Sequence, residues 1–231
     1  GDHRDLHSLR RRQRQMCIRD RLYNGEELSE GIHYLEIIAN DSLGRKAEVS
    51  AYFKVDTQAP QISLVNFSDY YNTTRIPIII HVNEECSLTI KIDGSIVEVN
   101  STVELEEGLH EISIKATDEA GNVAELRREF IIDLRPPKIG AKPANKTVLV
   151  GSVNLSINVT DDYGVSYMIA YLDKNVIYEG NYTENLSIEL KDGIHEIIII
   201  AFDFAGNKGI CHFYLKAVKG ISVFGVIIDY G

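Results

Sequence analysis

Three times between residues 31 and 207 the chain writes one pattern of apolar and polar positions. From Gly108 it reads GLHEISIKATDEAGN, from Gly193 GIHEIIIIAFDFAGN, and from Gly31, more loosely, GIHYLEIIANDSLGR. Each copy opens on glycine, alternates apolar and polar residues, and closes on Asp, two further residues and Gly. Alternation with period two predicts a strand with one face in a core: Ile112, Ile114 and Ala116 inward, Glu111, Ser113, Lys115 and Thr117 outward. At the closing turn the Asp118 carboxylate can accept amide hydrogen bonds from the following residues, and Gly121 can take a left-handed conformation without steric cost. Asp203 with Gly206, and Asp41 with Gly44, hold the same places. Each copy therefore predicts a β-hairpin.

The copies stand 77 residues apart (Gly31 to Gly108) and 85 apart (Gly108 to Gly193), the length of a small β-sandwich rather than of a solenoid repeat. Alternating runs predict strands over 62–66, 76–82, 86–92, 96–99, 103–105, 109–117 and 123–132, with Asp93-Gly94 as a hairpin turn. They predict them again over 153–159, 165–172, 176–178, 185–190, 194–201 and 209–217. The junctions DTQAP (56–60) and DLRPP (133–137) end their strands because proline cannot donate to a sheet ladder. The expected class is all-β, as tandem sandwiches: residues 22–57 the C-terminal half of one, 58–135 and 136–219 two complete ones, and 220–231 a tail or the start of a further element. In 22–57, Leu35, Ile37, Ala39, Val49, Ala51 and Phe53 share a face whose partner sheet is expected upstream, so that face should be exposed. The apolar run 221–228 is too short to span a bilayer.

The run of Gly, apolar, His, alternation, Ala-x-Asp-x-x-Gly-Asn and then Asp with prolines resembles the Ig-like repeats of bacterial and archaeal cell-surface proteins. The resemblance covers 22–218 and implies a sandwich fold in a stalk, spacer, adhesin unit or accessory domain of a secreted enzyme. The first copy departs from it at Arg45, and the third lacks the closing prolines.

Residues 1–21 look like translated sequencing adapter: GDHRDLH and RRQRQMCIRD are what a flow-cell adapter and a transposase read-primer encode in one frame. This segment is therefore read as non-native, and its arginines are not read as a nucleic-acid arm. It holds 7 of the 24 basic and 3 of the 34 acidic residues, leaving 17 against 31 and a net charge of about −14. Such a balance disfavours nucleic acid and anionic membrane surfaces. Cys17 lies in the same segment, and Cys86 and Cys211 fall on inward parity in different repeats, as small apolar side chains rather than a disulfide pair.

Asn-x-Ser/Thr occurs at Asn40, Asn66, Asn72, Asn100, Asn145, Asn154, Asn158, Asn181 and Asn185, nine of fourteen asparagines, which favours a glycosylated protein exported to the cell surface. His33, His110 and His195 recur at one place after the turn glycine and read as structural, since a catalytic or metal residue is seldom repeated in every module. His81 and His212 have no nucleophile or second ligand at suitable spacing. No cofactor is expected; calcium is the alternative, with Asp118, Asp133, Asp161, Asp162 and Asp203 as candidate ligands near module ends. Backbone capping already accounts for aspartate in such turns, and no twelve-residue calcium loop is present. Aligning Asp93 with Asp173 sets the outward residues Ser87, Thr89 and Lys91 against Tyr167, Ile169 and Tyr171, and Ser113 and Lys115 against Ile198 and Ile200. The five residues Tyr167, Ile169, Tyr171, Ile198 and Ile200 should form one apolar and aromatic patch, covered by 221–228 or open to a protein or glycan partner. No stretch of 22–231 carries the convergent acids, nucleophile or phosphate loop of an active site. The favoured reading is a non-catalytic extracellular array contacting neighbouring domains of its own chain. The alternatives are accessory modules of a secreted enzyme, or an adhesin binding through the last repeat.

Overall fold

The computed structural model describes residues 28–223 and 226–228, and residues 1–27, with the adapter-like segment and Cys17, lie outside them. The chain divides into two units, 1–57 and 58–231. All regular structure among the described residues is β. In the first unit β1 (Gly31–Asn40) pairs antiparallel with β2 (Lys46–Val55) from Gly31↔Val55 to Asn40↔Lys46. The Asp41 carboxylate caps the turn, accepting from the amides of Leu43 and Arg45 at 2.9 Å each. Leu35, Ile37, Val49 and Phe53 are exposed in this unit, and so are Ile32, Tyr34, Ile38 and Tyr52 on the opposite face.

The second unit opens with a sandwich of nine strands: β3 (Ile62–Leu64), β4 (Tyr70–Tyr71), β5 (Arg75–Ile78), β6 (Ile80–Val82), β7 (Cys86–Ile92), β8 (Ser95–Val97), β9 (Ser101–Glu104), β10 (Gly108–Asp118) and β11 (Val123–Ile132). One layer is a five-stranded sheet ordered β4-β11-β10-β7-β8; the other is built from the pairs β3-β6 and β5-β9. The run 76–82, expected as one strand, is broken at Ile79: β5 pairs β9 and β6 pairs β3, so the segment serves two neighbours in turn. Asp93 and Gly94 both have positive φ, 50° and 81°, as a tight two-residue hairpin requires. Ile76, Ile78, Ile90, Ile92, Ile112, Ile114, Phe130 and Ile132 form the core.

A second sandwich follows, with β12 (Lys138–Lys142), β13 (Lys146–Leu149), β14 (Gly151–Thr160), β15 (Val165–Leu172), β16 (Asn175–Gly180), β17 (Asn185–Leu190), β18 (Gly193–Asp203) and β19 (Lys208–Val218). Its layers are ordered β13-β19-β18-β15-β16 and β12-β14-β17. Buried Leu155, Ile157, Met168, Ile188, Ile197, Ile199, Phe213 and Leu215 lie between them. The architecture is thus all-β, in Ig-like sandwiches. Three strands escape the alternation pattern: two-residue β4, and β12 and β13 in a Gly-, Ala- and Pro-containing stretch. β4 and β13 are held by parallel pairing to the last strand of their own sandwich, Ile132↔Tyr71 and Val148↔Ala217 among the partners. Beyond Val218, β20 (Ile221–Val223) and β21 (Val226–Ile228) pair only with each other, so this run adds no strand to either sandwich. Covering of the patch by these side chains, expected as one possibility, lies outside what is described.

Candidate metal centre and outward sheet face

Residues 133–137 link the two sandwiches of the second unit, and the link is fixed at several points. Asp133 follows β11; its amide donates to the Tyr71 carbonyl at 2.9 Å, and its own carbonyl accepts from Asn207 Nδ2, in the turn after β18, at 2.7 Å. A Cβ on Gly209 would stand 2.0 Å from the Pro137 carbonyl oxygen, so the link runs directly over that backbone and only glycine fits beneath it. Tyr70 of the first sandwich stacks on Phe204 of the second, ring centroids 5.3 Å apart. Arg135 pairs with Asp162 at 2.9 Å and with Glu107, tying a loop of each sandwich to the linker.

At this junction Asp133, Asp161 and Asp203 each present a carboxylate oxygen within 4.8 Å of the others. Local structure explains how each arrives there. Asp203 ends β18 on the same inward parity as Ile197, Ile199 and Ala201, and its two oxygens accept from the Asn207 amide and Nδ2, both at 2.8 Å. Asp161 caps the turn after β14, its Oδ1 accepting from the amides of Tyr163 and Gly164 at 3.0 Å each. Asp133 is 1% exposed; its Oδ1 accepts from the Arg135 amide at 3.0 Å, and its Oδ2 is buried with no hydrogen-bond partner. Burial pushes the Asp133 carboxyl up; the Arg135 amide pulls it down, and the charges of Asp161, Asp203 and Glu107 push it up again, leaving it above the ordinary value. A donor set of oxygens alone suits a hard divalent cation and offers zinc or copper no nitrogen or sulfur.

Of the five aspartates expected as candidate calcium ligands, three meet here. Asp162 instead turns to Arg135. Asp118 belongs to the opposite end of the first sandwich, where it holds the Asn122 amide and Nδ2 at 2.8 Å as Asp203 holds Asn207. Asn207, Gly209 and the Tyr70–Phe204 stack were not singled out by sequence. The Gly-Asn closing two of the hairpin copies was the available signal for Asn207.

The outward face of β15 and β18 carries the five expected patch residues. Tyr171 lies opposite Ile198, Ile169 opposite Ile200, and Tyr167 opposite Phe202. All five are half-buried, while the alternate residues Met168, Ala170, Ile197 and Ile199 are buried. On β19 the patch continues through Ile210, opposite Ile200 and 60% exposed, to Tyr214, 47% exposed. Glu179 bounds it, accepting from the Tyr167 hydroxyl at 2.7 Å.

The repeated histidines are structural clamps. His110 Nδ1 lies 2.7 Å from Asp93 Oδ2 and its Nε2 2.9 Å from the Glu106 carbonyl; Asp93 Oδ1 accepts from the Glu111 amide at 3.0 Å. His195 repeats this with Asp173 Oδ2 at 2.6 Å and the Lys191 carbonyl at 2.8 Å. Both ring nitrogens face acceptors, an arrangement that favours the doubly protonated ring. Among the described residues His33 keeps the carbonyl contact, to Ser29 at 2.6 Å, and stacks on Phe53. Both described cysteines are free and half-buried, and burial pushes the Cys211 thiol up. All nine sequon asparagines are exposed, with Asn154, Asn158 and Asn185 on the outward face of the β12-β14-β17 sheet.

No protein-family model matches the chain, and no curated protein matches it in sequence. Among solved structures it is similar to the fibronectin(III)-like modules of Clostridium thermocellum CbhA, at 14% identity and a TM-score of 0.47, over 68% of this chain and 95% of that one. An amphioxus IgVJ-C2 molecule matches at 11% identity and 0.32, over 68% and 96% of the two chains. A Ca²⁺-stabilized adhesin with which an Antarctic bacterium binds ice matches at 12% identity and 0.29, over 83% of this chain and 58% of that one.

Proposed function

We propose that this chain is a non-catalytic extracellular Ig-like array that spaces or presents other domains at a cell surface. The observation that carries this reading is the junction at 133–137. Stacked rings, a side-chain hydrogen bond to the linker backbone and a glycine under the linker join two sandwiches end to end. A spacer needs fixed geometry between modules, and these contacts supply it. Exposure of all nine sequon asparagines is compatible with a glycosylated surface chain, and no helix among the described residues is long and apolar enough to cross a membrane. Small-angle scattering on the full chain tests the reading: a narrow distance distribution over 58–218 is expected, broadened by Phe204→Ala with Asn207→Ala. A broad distribution in the parent would overturn it.

A second reading is favoured by the apolar face of β15, β18 and β19: the last repeat itself binds a partner, a protein or a glycan, through Tyr167, Ile169, Tyr171, Ile198 and Ile200. Aromatic and aliphatic side chains on a sheet face supply contact area at low entropic cost. Sedimentation of the parent against Ile198→Thr/Ile200→Lys tests whether the face drives association.

A further inference from the structure

We propose that Asp133, Asp161 and Asp203 hold one calcium ion, which ties the linker between the two sandwiches to the turns of the second. Three carboxylates within 4.8 Å of one another would repel strongly at this depth, since Asp133 and Asp203 are buried. Asp203 is balanced by the two hydrogen bonds from Asn207, and Asp161 by two backbone amides. Asp133 is not: its Oδ2 is removed from water and has no partner. A buried carboxylate oxygen left unpaired carries its desolvation cost without compensation, and a cation meeting all three groups satisfies it and cancels the repulsion together. The donors are hard oxygens, and calcium, bonding at about 2.3–2.6 Å, spans oxygen separations that magnesium, at about 2.0–2.1 Å, does not reach as easily.

The ligands come from the linker and from the second module. Asp133 stands directly after β11, at the start of the linker, whereas Asp161 follows β14 and Asp203 ends β18 of the second sandwich. The ion would therefore tighten the junction on which the spacer reading rests, and its affinity should be that of an extracellular module, with Kd about 10⁻⁴–10⁻³ M.

The test is calorimetric titration of the full chain, stripped with EDTA, with calcium chloride. Asp161→Asn keeps an Oδ1 to cap Tyr163 and Gly164 and removes the charge; Asp162→Asn, outside the trio, is the control. Calcium bound per chain should fall by one in Asp161→Asn and stay at the parent value in Asp162→Asn. Calcium should raise the parent's Tm by several degrees, and by less in Asp161→Asn. Equal stoichiometry in the parent and Asp161→Asn, or no binding at millimolar calcium, would overturn the site. Unchanged scattering in that case would leave the spacer reading standing, whereas a broad distance distribution with calcium bound would remove the spacer and keep the site.

Discussion

The outward faces of the two five-stranded sheets rest on one plan and carry opposite chemistry. In the first sandwich β7 and β10 show water Ser87, Thr89 and Lys91 beside Ser113 and Lys115, paired Lys115↔Thr89 and Ser113↔Lys91. At the same places β15 and β18 of the second show Tyr167, Ile169 and Tyr171 beside Ile198 and Ile200. The inward faces are interchangeable in kind: Ile112 and Ile114 are buried in one, Ile197 and Ile199 in the other. Because successive side chains point to opposite sides of a strand, selection can rewrite one face and leave the core untouched. The fold requires neither version.

Four measurements break or sharpen that comparison. The largest effect belongs to the inward face: Ile112→Ala and Ile197→Ala should each destabilise by about 2–5 kcal/mol in urea unfolding, because both leave a cavity in a closed core. Similar costs would show that the two cores are equivalent. Gly209→Ala should follow, at about 1–3 kcal/mol, since its methyl group must displace the Pro137 backbone. That loss should fall on the second sandwich and its linker, and a neutral result would contradict the close approach. Exchanging the outward faces comes next: Ile198→Thr/Ile200→Lys should change stability by about 1 kcal/mol or less while removing any association seen by sedimentation. The reciprocal Ser113→Ile/Lys115→Ile should leave the fold intact and make the first sandwich associate.

The smallest effect is a pH dependence that both sandwiches should share. His110 is lowered by burial but raised further by Asp93 and the Glu106 carbonyl, and His195 is raised chiefly by its bond to Asp173, so both titrate above the ordinary imidazole value. Their stabilisation is complete below that value and is lost as pH rises through the folded-state value. Asp93 and Asp173 are pushed up by burial, yet the histidines and backbone amides bring them below the ordinary carboxylate value. Their contribution is present above that ordinary value and is lost as pH falls through the folded-state one. The clamps should thus be strongest in mildly acid solution, and Tm should decline slightly toward alkaline pH. His110→Gln with His195→Gln should flatten that decline, and a slope unchanged in this variant would place its origin elsewhere.

The sequence by itself determined the class of fold, the core and the outward patch. Strict alternation over 109–117 and 194–201 assigns each residue to a face, and the turn aspartates and glycines follow from local backbone chemistry. The strands that alternation missed, β4, β12 and β13, are short, or run through Gly, Ala and Pro, and owe their form to a neighbouring strand. The candidate metal centre was legible only as a scatter of aspartates. Asp133, Asp161 and Asp203 lie up to 70 residues apart, as the numbers 133 and 203 show, and each has a local reason to be there as a cap or a linker residue. Which three meet, which one turns to Arg135 and which oxygen is left unpaired were decided by the packing of one sandwich on the next. Long-range proximity is set by how the modules dock, and no local pattern of residues encodes it.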